Sequence, residues 1–348
     1  MISESWPNWR KFGNVQRRWD NGMLIEVKNL KKWFPLHEGW IAALLSKGEQ
    51  GVLKAVDGVS FEMDQGEVLG LAGESGCGKT TIGMTLMKLY EPTSGEILFD
   101  GQNVVTLLGK NLKPWRRKAQ IVFQNPYESL NPRFTIIDTL MEPLHIHQIG
   151  TKDERTDIIR RTLEDCGLKP VEDYIHKFPH ELSGGQRQRV SIAKAMVLKP
   201  RFIVADEPVS MLDVSIRAGI LKLLKSLSQN RGLTILYISH DLSSMGYICD
   251  RIAIMYLGKI VEVGPPQAIL DRPSHPYTQA LISAVPVSNP SIKRKRVNLP
   301  GEIPNPIDLP QGCRFRPRCK KMMDCCLESE PGLTEIGEFH SVSCHLYL

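Results

Sequence analysis

Several things are missing from this chain of 348 residues. No stretch approaches the ~18 consecutive apolar residues that a membrane-spanning helix needs. The first residues, Met1-Ile2-Ser3-Glu4-Ser5-Trp6-Pro7, lack the charged-then-apolar layout of a secretory leader. The chain is therefore expected to stay in the compartment where it is made. It has no tandem repeat and no close C-x2-C pair of the kind usual in structural zinc sites. Charge is not extreme: the net +6 does not mark a dedicated nucleic-acid binder and would equally suit a surface facing anionic lipid or an acidic partner. The hydrophobic share of 42% is ordinary for a globular protein, and the length allows one large domain with an extra, or two domains. Eight cysteines are unevenly spread. Cys77, Cys166 and Cys249 are scattered, whereas Cys313, Cys319, Cys325, Cys326 and Cys344 crowd the end, which in a reducing compartment points to metal more than to disulfides.

What is present centres on Gly73-Glu74-Ser75-Gly76-Cys77-Gly78-Lys79-Thr80, followed by Thr81. It fits G-x-x-x-x-G-K-[ST] at every position. Val68-Leu69-Gly70-Leu71-Ala72 before it reads as a short buried strand, and residues 81–89 after it have helical spacing. That context makes it a phosphate loop. A triphosphate concentrates negative charge, and inward-facing backbone N–H groups at a helix N-terminus answer it. Gly73, Gly76 and Gly78 let the backbone come close and take positive φ. Lys79 can reach the β and γ phosphates, and the Thr80 hydroxyl can ligate Mg²⁺. Cys77 lies inside the loop, so a thiol reagent is expected to block nucleotide binding.

Around this loop, Leu24-Ile25-Glu26-Val27 alternates as a strand, and residues 54–63 read as another, with a turn at Asp64-Gln65-Gly66. A hairpin is expected at Asp100-Gly101, a strand over 119–124, and apolar runs over 202–207 and 233–241 that end in polar residues. Residues 251–256 and 259–264 read as a pair around Leu257-Gly258, and 136–178 as mostly helical. Residues 1–22 read as an arm of low intrinsic order, and 36–52 as a looser insertion. Strands alternating with helices predict an α/β sheet whose strand ends carry the site. Asp206 and Glu207 end one apolar run, where a carboxylate can hold Mg²⁺ and its neighbour can polarise a water. Leu182-Ser183-Gly184-Gly185-Gln186 opens a further helix, a second place for an anion. One triphosphate rarely needs two such places, so the second is expected to serve a nucleotide held by another subunit.

In order, residues 73–80, Gln124, 182–186, 202–207, Ser210-Met211-Leu212-Asp213 and His240 resemble the ATP-binding subunits of ABC transporters, over about residues 24–265. The resemblance implies an α/β P-loop ATP-binding cassette over 23–265, with a mixed sheet core, an antiparallel β subdomain and a helical subdomain at about 125–185. By the same resemblance Phe34, or else Trp33, stacks on adenine. Ser75, Cys77 and Thr81 join the loop's nucleotide contacts. Thr80, Gln124 and Asp206 serve Mg²⁺. Glu207 is the catalytic base, Gln124 touches the attacking water and moves with the membrane partner, and His240 is the switch histidine on the γ phosphate. Ser183, Gly184, Gly185 and Gln186 form the signature reaching a nucleotide across a dimer, and Asp213 bridges that dimer. Lys194 stands where the family often has Arg, keeping the charge.

The tail narrows the resemblance. His275-Pro276-Tyr277-Thr278, Leu299-Pro300-Gly301-Glu302 and Cys313-Arg314-Phe315-Arg316-Pro317-Arg318-Cys319 are similar to the C-terminal extension, here 266–348, of oligopeptide and dipeptide importer ATPases. Cys313, Cys319, Cys326 and Cys344 form a ligand set spaced C-x5-C-x6-C-x17-C, which by itself leaves an iron–sulfur cluster, Zn²⁺ or unliganded thiols open. The resemblance implies a 4Fe–4S cluster and favours Cys326 over Cys325. Such a cluster is expected to fold a tail with too little core of its own. The resemblance further implies an ATP- and Mg²⁺-dependent peptide translocase subunit, peripheral on the cytoplasmic face of the cell membrane. Its implied partners are a related second cassette forming a heterodimer, two transmembrane permease subunits and an extracytoplasmic solute-binding protein, with no nucleic acid. Two readings compete: the same machine carrying nickel, oligosaccharide or another solute, and a soluble cassette protein acting on ribosomes or DNA. The basic run Lys293-Arg294-Lys295-Arg296 reads as a solvated linker face.

Overall fold

A computed structural model describes residues 22–35, 51–285, 299–301 and 304–348. The expected arm up to residue 21, residues 36–50 of the expected insertion and the basic run lie outside the described residues. The chain divides into two compact units, one comprising residues up to 62, 70–105 and 240–348, the other 63–69 and 106–239.

The first unit holds an antiparallel sheet in the order Val52–Asp64, Met23–Pro35, Ser94–Phe99, Gln102–Asn103. Ile25 pairs with Phe99 and Val27 with Ile97, which sets their apolar side chains in the core. The hairpin turns at Asp100 and Gly101, both with positive φ, the combination that Asp-Gly supplies for a two-residue turn. A second run of strands goes Thr334–Gly337, His340–Val342, Lys259–Gly264, Arg251–Tyr256, Val68–Ala72. The end of the chain thus adds strands to the sheet: Glu262 pairs with Val342 and Val263 with Ser341.

The C-terminal part has more core than its sequence suggests. Tyr256, Tyr277 and Phe315 are fully buried, with ring centroids 4.7 to 5.6 Å apart. Burying each ring contributes about 2–3 kcal/mol of transfer free energy. Glu262, fully buried, accepts hydrogen bonds from Ser274 N (2.8 Å), His275 N (3.0 Å) and His340 Nε2 (2.7 Å). A buried carboxylate persists only when its oxygens are satisfied in this way. It fixes the start of the helix Pro276–Ala284, where His275 Nδ1 accepts from Tyr277 N at 3.0 Å. Any metal in this region would therefore add to an existing core.

The second unit carries parallel strands Ala119–Val122, Phe202–Asp206 and Thr234–Ile238, with Val122 beside Ala205 and Asp206 beside Ile238. All five residues of each of the last two strands are buried, as strands covered on both faces must be, which is why their sequences are continuous apolar runs. The helices Ile136–Ile146, Lys152–Asp165 and Gly184–Met196 occupy the stretch expected to be helical and beyond. Each begins at a reciprocal cap: Thr135 with Asp138, Thr151 with Glu154, Ser183 with Gln186.

Candidate functional site

In the first unit the phosphate loop lies between Val68–Ala72 and the helix Lys79–Leu86. A Cβ on Gly73 would come within 2.2 Å of Met255 O, and one on Gly78 within 2.0 Å of Ala55 O, both at positive φ. These glycines are demanded by protein backbone as well as by any phosphate. Lys79, 6% exposed, donates to Gly73 O (2.8 Å) and Glu74 O (2.9 Å). Ser75, Gly76 and Thr80 are exposed and Thr81 is half-buried. Cys77 is buried; burial pushes its thiol up, with Lys79 partly offsetting this. The expected reactive loop thiol is thus corrected: thiolate is the attacking species, and here it is both disfavoured and shielded.

Glu74 is anchored more firmly than its variable motif position suggests. Its N–H donates to Tyr277 Oη at 2.9 Å, and Arg318 donates Nη1 to Oε2 at 2.8 Å and Nη2 to Oε1 at 3.3 Å. Arg314, four residues earlier, pairs with Asp57 and Glu330 and donates to Leu257 O. Burial opposes the charge on Asp57, yet Arg314, Lys259 and the Trp33 indole hold its carboxyl below the usual range. Sequence reasoning missed these partners; the three arginines between Cys313 and Cys319 were the available signal.

On the expected adenine side, Trp33 Nε1 donates to Asp57 Oδ1 at 3.0 Å, and Lys31 and Lys54 lie 5.4 and 5.1 Å from its ring. Phe34 meets Tyr90 edge to face at 5.5 Å, with Lys32 Nζ 4.7 Å from its centroid. Of the two aromatics, Trp33 is the more committed to its own unit. His240 also belongs to this unit and is exposed.

In the second unit Asp206 ends its strand at 7% exposure, and Glu207 follows with φ of 46°. Left-handed backbone at a non-glycine residue costs about 1 kcal/mol or more and turns the side chain out of strand register. Glu207 N donates to Ile238 O at 2.9 Å, and Gln124 Nε2 donates to Glu207 Oε2 at 3.0 Å. The strand before Gln124 ends at Val122, two residues sooner than expected, which leaves Gln124 exposed on a loop.

The second helix start is already capped from within: Ser183 Oγ accepts from Gln186 N at 3.3 Å, and Gln186 Oε1 from Ser183 N at 2.9 Å. Gly184 is exposed, and Gly185 is buried, where a Cβ would meet Ile216 Cγ2 at 2.4 Å. Asp213 is exposed and begins the helix Val214–Arg231 without capping it through its side chain.

The terminal cysteines gather. Cys313 N donates to Cys326 O at 2.9 Å, and Cys326 and Cys344 lie within electrostatic reach both of Cys313 and of Cys319. Burial pushes the Cys313 thiol up to about 11 and raises those of Cys319 and Cys344; neighbouring thiols add to each. Cys326 is buried and Cys325 exposed. Cys325, Cys326 and His345 also bring potential ligand atoms within 4.8 Å of one another. No helix among the described residues is long and apolar enough to cross a membrane.

Comparison with known proteins identifies the family. Residues 56–210 match the family described as ABC transporter, and 261–326 match the oligopeptide/dipeptide transporter C-terminal region. The oligopeptide transport ATP-binding protein AppF of Bacillus subtilis is 46% identical over 327 residues, 93% of this chain and 97% of that protein. A Brucella ovis protein, provisionally named a peptide import ATP-binding protein, is 50% identical over 292 residues, 84% of this chain and 92% of its own. Among solved structures, the dimeric bacterial ABC transporter cassette MJ0796 aligns at a TM-score of 0.61 and 28% identity, covering 70% of this chain and 99% of that one. The same cassette in a dimeric post-hydrolysis state bound to ADP and Pi aligns at 0.60.

Proposed function

The chain belongs to the ATP-binding proteins of ABC transporters, in their oligopeptide and dipeptide group, and from that premise we propose how its residues do the work. It is an ATPase subunit that energises a peptide importer. The observation that carries the catalytic reading is the Gln124 hydrogen bond to Glu207, next to buried Asp206.

On this reading Lys79 exchanges its two loop carbonyls for β and γ phosphate oxygens. Ser75, Gly76, Gly78, Thr80 and Thr81 offer backbone and hydroxyl groups from the loop and first helical turn. Phe34 offers its ring to adenine once Lys32 moves from its face. The Thr80 hydroxyl, the Asp206 carboxylate and the Gln124 amide oxygen are hard oxygen donors of the kind Mg²⁺ takes. When bound, Mg²⁺ would supply electrostatic stabilisation of phosphate charge. Glu207 accepts a proton from the attacking water, Gln124 keeps that carboxylate aimed, and His240 contacts the γ phosphate.

Ser183, Gly184, Gly185 and Gln186 serve the nucleotide of a second cassette, a related subunit in a heterodimer, and Asp213 bridges the two. Its carboxylate is not spent on its own helix, which supports that assignment. Nucleotide then acts as a ligand of the closed pair, so that binding shifts the population toward closure. The pair sits peripherally on the cytoplasmic face of the membrane against two permease subunits, with a solute-binding protein on the far side. Cys313, Cys319, Cys326 and Cys344 form the extension's ligand set for a 4Fe–4S cluster; their mutual proximity, with Cys326 and Cys344 buried and Cys313 and Cys319 half-buried, supports it. Four thiolates suit such a cluster, which when bound cross-links the segments that carry them.

The test is reconstitution with the permeases and solute-binding protein of one importer. Peptide-stimulated ATP hydrolysis is expected, and Glu207→Gln with ATP should hold two cassettes together in gel filtration. Hydrolysis indifferent to peptide, with the variant solitary beside its companion cassette, would overturn the reading.

A further inference from the structure

Glu74, second residue of the phosphate loop, has all its polar groups turned into its own unit. Its N–H goes to Tyr277 Oη (2.9 Å), and its carbonyl accepts from Lys79 Nζ (2.9 Å) and Cys77 N (3.3 Å). Its carboxylate takes both Nη groups of Arg318. Tyr277 is fully buried and Arg318 is 7% exposed. Tyr277 lies in the helix Pro276–Ala284, and Arg318 in the single turn Arg316–Arg318 just before Cys319. Both come from the C-terminal part of the chain, outside the loop, its strand and its helix.

We propose that Arg318 and Tyr277 are positioning residues for the phosphate loop, holding Glu74, and through its carbonyl Lys79, where a triphosphate is met. The physical reason is pre-organisation. A loop rich in glycine loses much conformational freedom when ordered, and that loss weakens binding unless the loop is ordered beforehand. A planar guanidinium on a carboxylate fixes direction as well as distance, which a lysine in its place would not do. The aromatic contacts of Phe315 with Tyr256 and Tyr277 seat Arg318 between fixed neighbours. The C-terminal extension thereby sets nucleotide affinity. This goes beyond the proposed cycle, which needs only that ATP occupy the loop.

The experiment measures binding of a fluorescent ATP analogue with Mg²⁺, together with kcat and KM for ATP, on the full-length chain. Arg318→Ala and Glu74→Gln are each expected to weaken binding about tenfold, the order of one charge-assisted hydrogen bond, with KM rising more than kcat falls. Arg318→Lys should recover part of the loss, and the double variant should bind no worse than either single one. Unchanged affinity in Glu74→Gln, which leaves the extension's sequence intact, or additive losses in the double variant, would overturn the proposal. If Arg318→Ala fails to fold, Glu74→Gln and Arg318→Lys decide the matter. Wild-type protein that binds no ATP would overturn the proposed cycle and this inference together; wild-type binding matched by every variant overturns this inference alone.

Discussion

Gln124 donates through Nε2 to Oε2 of Glu207 at 3.0 Å, and the Glu207 backbone sits in the left-handed region at φ 46°. The carboxylate is thus aimed from two sides, by its own backbone and by a neighbouring loop. Glu207→Gln should keep ATP binding and lose turnover by about 10²–10⁴-fold, the usual worth of a general base. Gln124→Ala should lower turnover less. Single-turnover hydrolysis beside nucleotide binding separates the two steps, and normal turnover in Glu207→Gln would remove Glu207 from its role.

Acid should loosen the C-terminal part first. Burial lowers His275 to about 4 against the opposing pull of Glu262, and its Nδ1 accepts a hydrogen bond, so the ring is neutral when folded. A histidine in the unfolded chain titrates near 6.5, so the unfolded state binds the extra proton between that pH and about 4. Stability from this group is complete above about 6.5 and falls as pH drops toward 4, by up to about 3 kcal/mol. Thermal melts from pH 7 to 4 should show the loss, and His275→Asn should flatten the slope. An unchanged slope in that variant would assign the acid sensitivity elsewhere.

Metal content distinguishes the thiols. Protein purified without oxygen should carry iron and sulfide in near-equal amounts. Cys326→Ser should abolish both, and Cys325→Ser should leave them, because Cys326 is buried among the other thiols while Cys325 is exposed. Stoichiometric zinc without iron would overturn the cluster assignment, and iron lost only with Cys325 would reverse the register.

Cys77 should react slowly with maleimide in the native protein and at full speed once unfolded. Its burial and its raised thiol both oppose attack. Counting labelled Cys77 by peptide mass against time checks this. Native labelling as fast as unfolded labelling would contradict the buried placement.

Sequence alone determined what neighbours within a few residues can settle. The apolar runs at 202–206 and 234–238 are strands because nothing polar interrupts them, and both are fully buried. Asp100-Gly101 fixes a hairpin through two positive φ angles, and Ser183 with Gln186 starts a helix by bonding across three residues. Gly73 and Gly78 were legible as glycines a phosphate loop requires; that Met255 and Ala55 also exclude a side chain there was not. Tertiary structure decided the rest. Glu74 and Arg318 lie 244 residues apart, and Asp57 and Arg314 257 apart. Any of many arginines could neutralise either acid, and pairing leaves no trace in local pattern or period. Only the folded sheet, with the end of the chain paired on Lys259–Gly264, brings these partners within hydrogen-bonding distance.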